Sequence, residues 1–216
     1  MKKIFLFIAV LATVFTACNN NNKQKPGDTD TTAKKPVDTI VAEPTKPVNE
    51  DSALLALSAD ILKAIKDTNY SKFIAHIHPT QGVRLSPYGY IDTSENRIVQ
   101  ANELLNLLHS NKKIVWGSFD GTGDPINITA AAYFKRFVYN VDYLNAPDKA
   151  ANRIIGGGNS PSNIEKLYPG APYTEFHFKG FEAKYEGMDW ASLRLVFKKE
   201  NNTFWLIAIV HDEWTI

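Results

Sequence analysis

Glu175, His177, Asp189, Ser192, Arg194 and His211 crowd the last quarter of the chain, and their types suit acid–base work. Within "YTEFHF", Glu175 and His177 stand two apart, so an extended segment turns both to one face. Ser192 and Arg194 share a face of "ASLRLVFKK" in the same way. If Asn201 and Asn202 form a two-residue turn, which asparagine suits by tolerating positive φ, the numbers of paired residues sum to 403. Leu193, Leu195 and Phe197 then oppose Val210, Ala208 and Leu206 on an apolar face. On the other face Val196 meets Ile207, Arg194 meets Ile209, and Ser192 meets His211. That second face is apolar at the turn and polar at its far end, under a loop carrying Asp189 and Trp190, the pattern of a binding cavity. Such a cavity supports general acid–base chemistry, with His or a carboxylate as base and Arg or His to stabilise developing charge, or it merely binds. The structural alternative on the same residues is an ion pair of Arg194 with Glu175 or Asp189, with His211 as a satisfied core histidine.

Other chemistry-bearing types fall outside that group. In "SPYGY" an extended backbone puts Tyr88 and Tyr90 on one face beside Arg84, where rigid aromatic area with a polar tip suits sugars, peptides or aromatic ligands. Packing over the open end of a core is the equal alternative. His76 and His78 are too far round a helix to share a metal ion. "DGTGD" lacks the alternating ligands and distal glutamate of a calcium loop, and "GGGNSP" lacks the lysine of a phosphate loop. No catalytic motif, metal site or cofactor is expected.

The single cysteine, Cys18, belongs to a different function. Lys2 and Lys3 precede an apolar run from Ile4 to Val14, too short for the ~20 residues of a membrane-spanning helix. It reads as a cleavable signal over residues 1–17. "VFTAC" resembles the bacterial lipobox, which implies acylation of Cys18 and attachment to a membrane. Each buried methylene contributes ~0.8 kcal/mol, so two acyl chains hold where one is marginal. Asn19 in place of Asp implies, by the same resemblance, the outer membrane of the cell envelope. Residues 18–50 combine four prolines, no aromatic residue and mixed charges, the composition of a disordered tether. Losing Lys2 and Lys3 with the signal turns the formal net charge from +1 to −1, and no basic block stands out, so nucleic acid is not an expected partner.

The elements that must position these residues occupy 51–216, read as one α+β domain. Helices are expected over "DSALLALSADILKAIKDT", capped by Asp51 or Ser52, over "NYSKFIAHIHP" up to Pro79, over "ANELLNLLHS", and over "ITAAAYFKRFVY". An irregular hairpin is expected over 82–99, a strand at "KIVWGSF", loop over 140–171, and three strands at the end. Helices followed by a bent antiparallel sheet ending in "LRLVFKK" and "TFWLIAIVHDEW" resemble the NTF2-like cone-shaped fold. More narrowly, "HPTQGVRLSPYGY", "WGSFDGTGDP", "YEGMDWASLRLVF" and "IVHDEWTI" resemble a family of bacterial lipoproteins without assigned activity. The expectation is a cell-envelope lipoprotein whose domain binds a small molecule or an envelope protein without catalysis. The alternative is an envelope hydrolase or isomerase using His211 or His177 with Asp189 or Glu175.

Overall fold

The computed structural model of the protein describes residues 49–215. The signal, Cys18 and nearly all of the tether lie outside them. The described part is mixed α+β: a six-stranded sheet, a two-stranded sheet and a few helices.

Helix α1 (Glu50–Lys66) buries Leu54, Ile61, Leu62 and Ile65, the stripe its periodicity predicts. Burial of such a side chain contributes ~1.5–3 kcal/mol, which outweighs intrinsic helix propensity as the reason the helix forms. Its cap is Asn49, whose side chain accepts from the Asp51 backbone N–H, so the helix starts earlier than a cap at Asp51 or Ser52 would allow. Helix α2 (Tyr70–Ile74) ends well before Pro79, because the chain instead bridges Ile77 to Leu206 of the sheet. His76 and His78 therefore leave the helix. His78 is buried, with Nδ1 accepting from the Thr80 and Gln81 amides at 3.3 and 3.2 Å, and His76 is half-buried.

Strands β1 (Val83–Ser86) and β2 (Ile98–Val99) form the short hairpin, followed by α3 (Ala101–Leu108). Strand β3 (Lys113–Ser118) pairs with β4 (Pro125–Thr129) as a separate ribbon. Ile128 and Thr129, expected to open a helix, thus belong to β4, and helix α4 (Ala130–Tyr133) starts only after Thr129, its cap. The helix widens at once into a π-helical turn, Phe134–Val138, where the Tyr139 amide reaches the Phe134 carbonyl five residues back at 2.7 Å. Between 140 and 171, read as loop, the chain forms β5 (Asp148–Ala151) and the short helix α5 (Ile164–Leu167).

Strands β6 (Tyr173–Phe178), β7 (Ala191–Glu200) and β8 (Thr203–Glu213) complete the larger sheet, in the order β2-β1-β8-β7-β6-β5. Strand β1 lies parallel to β8, so the sheet is mixed rather than antiparallel throughout. The Asn201–Asn202 turn forms, with φ of 48° and 61°, and next to it the expected register holds: Phe197 opposes Leu206. One step further the register slips. Val196 opposes Ala208, Arg194 opposes Val210, and Leu193 opposes His211. Ile207 is the extra residue of a β-bulge, which turns every later side chain of β8 to the other face.

Two cores result. The helix-covered face of the sheet packs Leu193, Leu195, Phe197, Leu206 and Ile209 against α1 to α4 and Trp116. The second, smaller core gathers Val196, Ala208, Val210 and Tyr173 against Ile91 and Ile164.

Candidate functional site

Cross-strand pairing brings Glu175 opposite Arg194 and His177 opposite Ser192 on the second face, as the two-residue spacing predicts. The bulge changes the third contributor. His211 goes to the helix-covered face and Asp212 takes its place beside Arg194, so the expected meeting of Ser192 with His211 does not occur. Asp212 escaped the sequence reading because nothing in "AIVHDEW" marks an extra residue upstream.

The three side chains bond to one another, with the buried Arg194 Nε left without a partner among the described residues. Arg194 Nη2 donates to Glu175 Oε1 at 3.0 Å, and Nη1 donates to Asp212 Oδ2 at 2.8 Å. Arg194 and Glu175 are fully buried and Asp212 is 4% exposed. Glu175 also accepts the Ile155 and Gly156 backbone amides at 2.5 and 3.1 Å, while the Gly156 carbonyl accepts from Arg194 at 2.6 Å. Burial works against the Arg194 charge, yet the Glu175 and Asp212 carboxylates outweigh it and raise its pKa. Burial raises the Asp212 carboxyl, opposed by Arg194.

His177 Nδ1 and Ser192 Oγ share a hydrogen bond of 2.8 Å beside this set, and Trp190 covers the His177 ring at 6.0 Å between centroids. Burial pushes the His177 pKa down, although the Glu175 charge pulls it up. The chain closes over the pair: a Cβ on Gly156 would lie 2.4 Å from His177 Nδ1 and 2.7 Å from Ser192 Oγ. A Cβ on Gly89 would similarly strike the Asp212 carboxylate at 2.4 Å. The expected cavity on this face is therefore occupied by backbone. The open grooves lie elsewhere: about 600 Å³ beside Tyr168 and Tyr173, about 350 Å³ beside Tyr90 and Lys166, and about 440 Å³ between Arg97 and Val115.

The remaining candidates disperse. Asp189 accepts the Phe181 and Glu182 amides at 3.0 and 2.8 Å, so it organises its own loop rather than the charged set. Arg84 donates to the Tyr168 hydroxyl at 3.1 Å and the Asn96 carbonyl at 2.8 Å. Residues 87–90 are a run of bends rather than an extended strand, which separates the two tyrosines. Tyr90 is 55% exposed, whereas Tyr88 is half-buried with its ring 5.9 Å from Phe137.

A second polar group lies on the helix-covered face, around the fully buried Phe137. Its ring centroid is 5.1 Å from Tyr133 and 5.8 Å from His211, and the Arg136 guanidinium sits 4.7 Å above it. The His211 Nδ1–H donates to the Pro87 carbonyl at 2.9 Å, leaving Nε2 as an acceptor. That Nε2 and the Tyr133 hydroxyl are buried, and neither has a hydrogen-bond partner among the described residues. Burial lowers the His211 pKa to about 4 and lifts the Tyr133 phenol well above its usual value, so both groups are neutral. Glu213 Oε2 stands 3.8 Å from Nε2 but is held by Arg136 through bonds of 2.5 and 3.1 Å. Tyr133, Arg136 and Glu213 were not singled out from the sequence; an aromatic and a cation within a helical pattern look like ordinary core and surface. The π-helical turn, which gave no periodicity signal, is what seats Arg136 and Phe137 there. The chain matches no family model, no curated protein and no solved structure.

Proposed function

We propose that the protein is a lipid-anchored component of a bacterial cell envelope, seated in the outer membrane, whose NTF2-like domain binds a small ligand and does not catalyse a reaction. The observation that carries the binding reading is the pair of buried polar atoms around Phe137, His211 Nε2 and the Tyr133 hydroxyl, which no described residue satisfies. Buried polar groups of native proteins are nearly always hydrogen-bonded, so such a pair marks a place for something else. The acid–base inventory argues against catalysis there. A histidine lowered to about 4 is a weak base near neutral pH, and Glu213 is committed to Arg136.

The hydrogen-bonded Ser192–His177 pair supports a second reading, an envelope hydrolase, because a nucleophile needs an adjacent base. Ser192 is fully buried beneath Gly156, which leaves a substrate no approach. A fluorophosphonate probe separates the two: labelling of Ser192 in the intact protein would establish the hydrolase.

Among the described residues no helix is long and apolar enough to cross a membrane. The proposed attachment is the lipid on Cys18, outside those residues. Cys18→Ala should move the protein from the membrane fraction to the soluble one, and retention after a carbonate wash refutes the anchor. For binding, native mass spectrometry of the full chain purified from the cells that make it should show a retained small molecule.

A further inference from the structure

We propose that the groove of about 600 Å³ beside Tyr168 and Tyr173 is the seat of the tether's own last residues, 43–48, "EPTKPV". Such a seat sets how the domain is held relative to its anchor, a matter separate from the ligand binding proposed above.

The groove lies where the described chain begins. Glu50 and Asp51, which open α1, form one of its walls, so the residues before Asn49 start at its edge. Bonds tie that edge to the opposite wall. Asn152 Nδ2 donates to Asp51 Oδ1 at 2.8 Å, and the Tyr173 amide donates to Asn152 Oδ1 at 3.1 Å. The Tyr173 hydroxyl then donates to Glu165 Oε1 at 3.1 Å. Six extended residues cover up to ~20 Å, enough to follow these contacts from Asp51 to Glu165.

Charge selects the occupant. The groove holds three carboxylates, Glu50, Asp51 and Glu165, and one ammonium, Lys199, which is committed to Glu50. Asp51 and Glu165 accept from neutral donors and have no cation partner among the described residues. The segment supplies the missing cation as Lys46, while its one acid, Glu43, stands at the end farthest from α1. Shape agrees with charge. Aromatic-lined grooves take proline segments, whose fixed φ leaves little freedom to lose on docking. Pro44 and Pro47 stand on either side of Lys46, and Tyr168 and Tyr173 supply the aromatic walls. The adjoining depression beside Asn202 and Phe204 offers only the Glu50–Lys199 pair, whose charges cancel, so it gives Lys46 no partner. With 43–48 seated, the chain leaves the domain beside Glu165 rather than at Asn49.

The test measures amide ¹⁵N relaxation on the full chain in detergent. Backbone order parameters lie near ~0.85 in fixed segments and below ~0.6 in flexible ones. Thr45, Lys46 and Val48 should rank with the fixed backbone, and residues 31–35 with the flexible one. Lys46→Glu, a change outside the described residues that leaves the domain's own packing alone, should release 43–48 to the flexible range. Adding Glu165→Lys to that chain should bring the order back. Pro44→Ser with Pro47→Ser should also release the segment while Lys46 stays in place. Mobility of 43–48 equal to that of 31–35 overturns the proposal. So does order that survives Lys46→Glu, or release that Glu165→Lys fails to reverse. Nuclear Overhauser contacts from a co-purifying molecule or a second copy of the chain to the Tyr173 ring give the groove to that occupant instead and overturn it too.

Discussion

The two faces of the larger sheet treat polar groups in opposite ways. On the second face Glu175, Arg194 and Asp212 are buried and bonded to one another and to the Ile155 and Gly156 backbone, with Arg194 Nε alone of the guanidinium nitrogens lacking a partner among the described residues. On the helix-covered face His211 and Tyr133 are neutral, buried and incompletely bonded. A buried charge that is left alone costs more than the pair ever contributes, so a charged set must be complete or absent. A neutral group missing one bond costs only ~1–3 kcal/mol, which a fold can carry and a ligand can recover. Paired charge here holds loops to the sheet; open neutrality is where binding has a bond to recover.

The sharpest way to break this comparison is Arg194→Met. It leaves two carboxylates buried without a cation and should cost ~3–5 kcal/mol in denaturant unfolding, or prevent folding. Converting Glu175 to Gln and Asp212 to Asn in the same chain should recover part of that loss. A cost below ~1 kcal/mol for Arg194→Met would show that the three are not coupled.

Acid comes next. His211 binds a proton near 6.5 when unfolded but only near 4 when folded, so the unfolded chain takes up more protons between those values. Stability should therefore fall as pH drops from about 6.5 towards 4, by up to about 3 kcal/mol from this residue. The charges facing it are Glu213, which favours protonation, and Arg136 and Arg194, which oppose it. Melting curves of His211→Phe should lose most of this slope, and an unchanged slope assigns the acid sensitivity elsewhere.

Gly156→Ala should cost ~1–3 kcal/mol by overpacking, because its methyl would strike the His177–Ser192 pair. Reading it by urea unfolding tests whether the strap over the charged set is as tight as its geometry requires. The smallest effect belongs to Tyr133→Phe, which removes a hydroxyl without a protein partner. It should change stability by less than ~1 kcal/mol and in the stabilising direction, as residues kept for binding often do.

The helix-covered face was the more legible in sequence, and the second face the less. Leu54, Ile61, Leu62 and Ile65 repeat with helical period, and β7 and β8 show period two, so α1 and the terminal hairpin follow from burial alone. Asn201 and Asn202 announce their turn because few other residues accept positive φ twice in succession. Glu175, His177, Ser192 and Arg194 came together because spacing of two is all their juxtaposition needs. Three features had no local signal. The bulge at Ile207 exchanges His211 for Asp212, and neither composition nor alternation changes in "LIAIV" to mark it. The parallel contact of β1 with β8 joins segments more than a hundred residues apart. The π-helical turn differs from its α-helical neighbour only in which carbonyl each amide finds. Each is a tertiary choice between local alternatives of nearly equal energy.

The bulge also means that β8 is written in two phases. Up to Leu206 even-numbered side chains point to the helices, and from Ile209 onward odd-numbered ones do. Two strands of this one sequence, one bulged at Ile207 and one paired straight through it, would align letter for letter. They would nonetheless carry opposite residues on each face beyond it. Pairing β8 without the bulge, Ile207 kept in the ladder, would push the Asp212 carboxylate into the aromatic core and return His211 to the side of Ser192. One skipped residue in the ladder thus decides whether Asp212 meets Arg194 or the aromatic core.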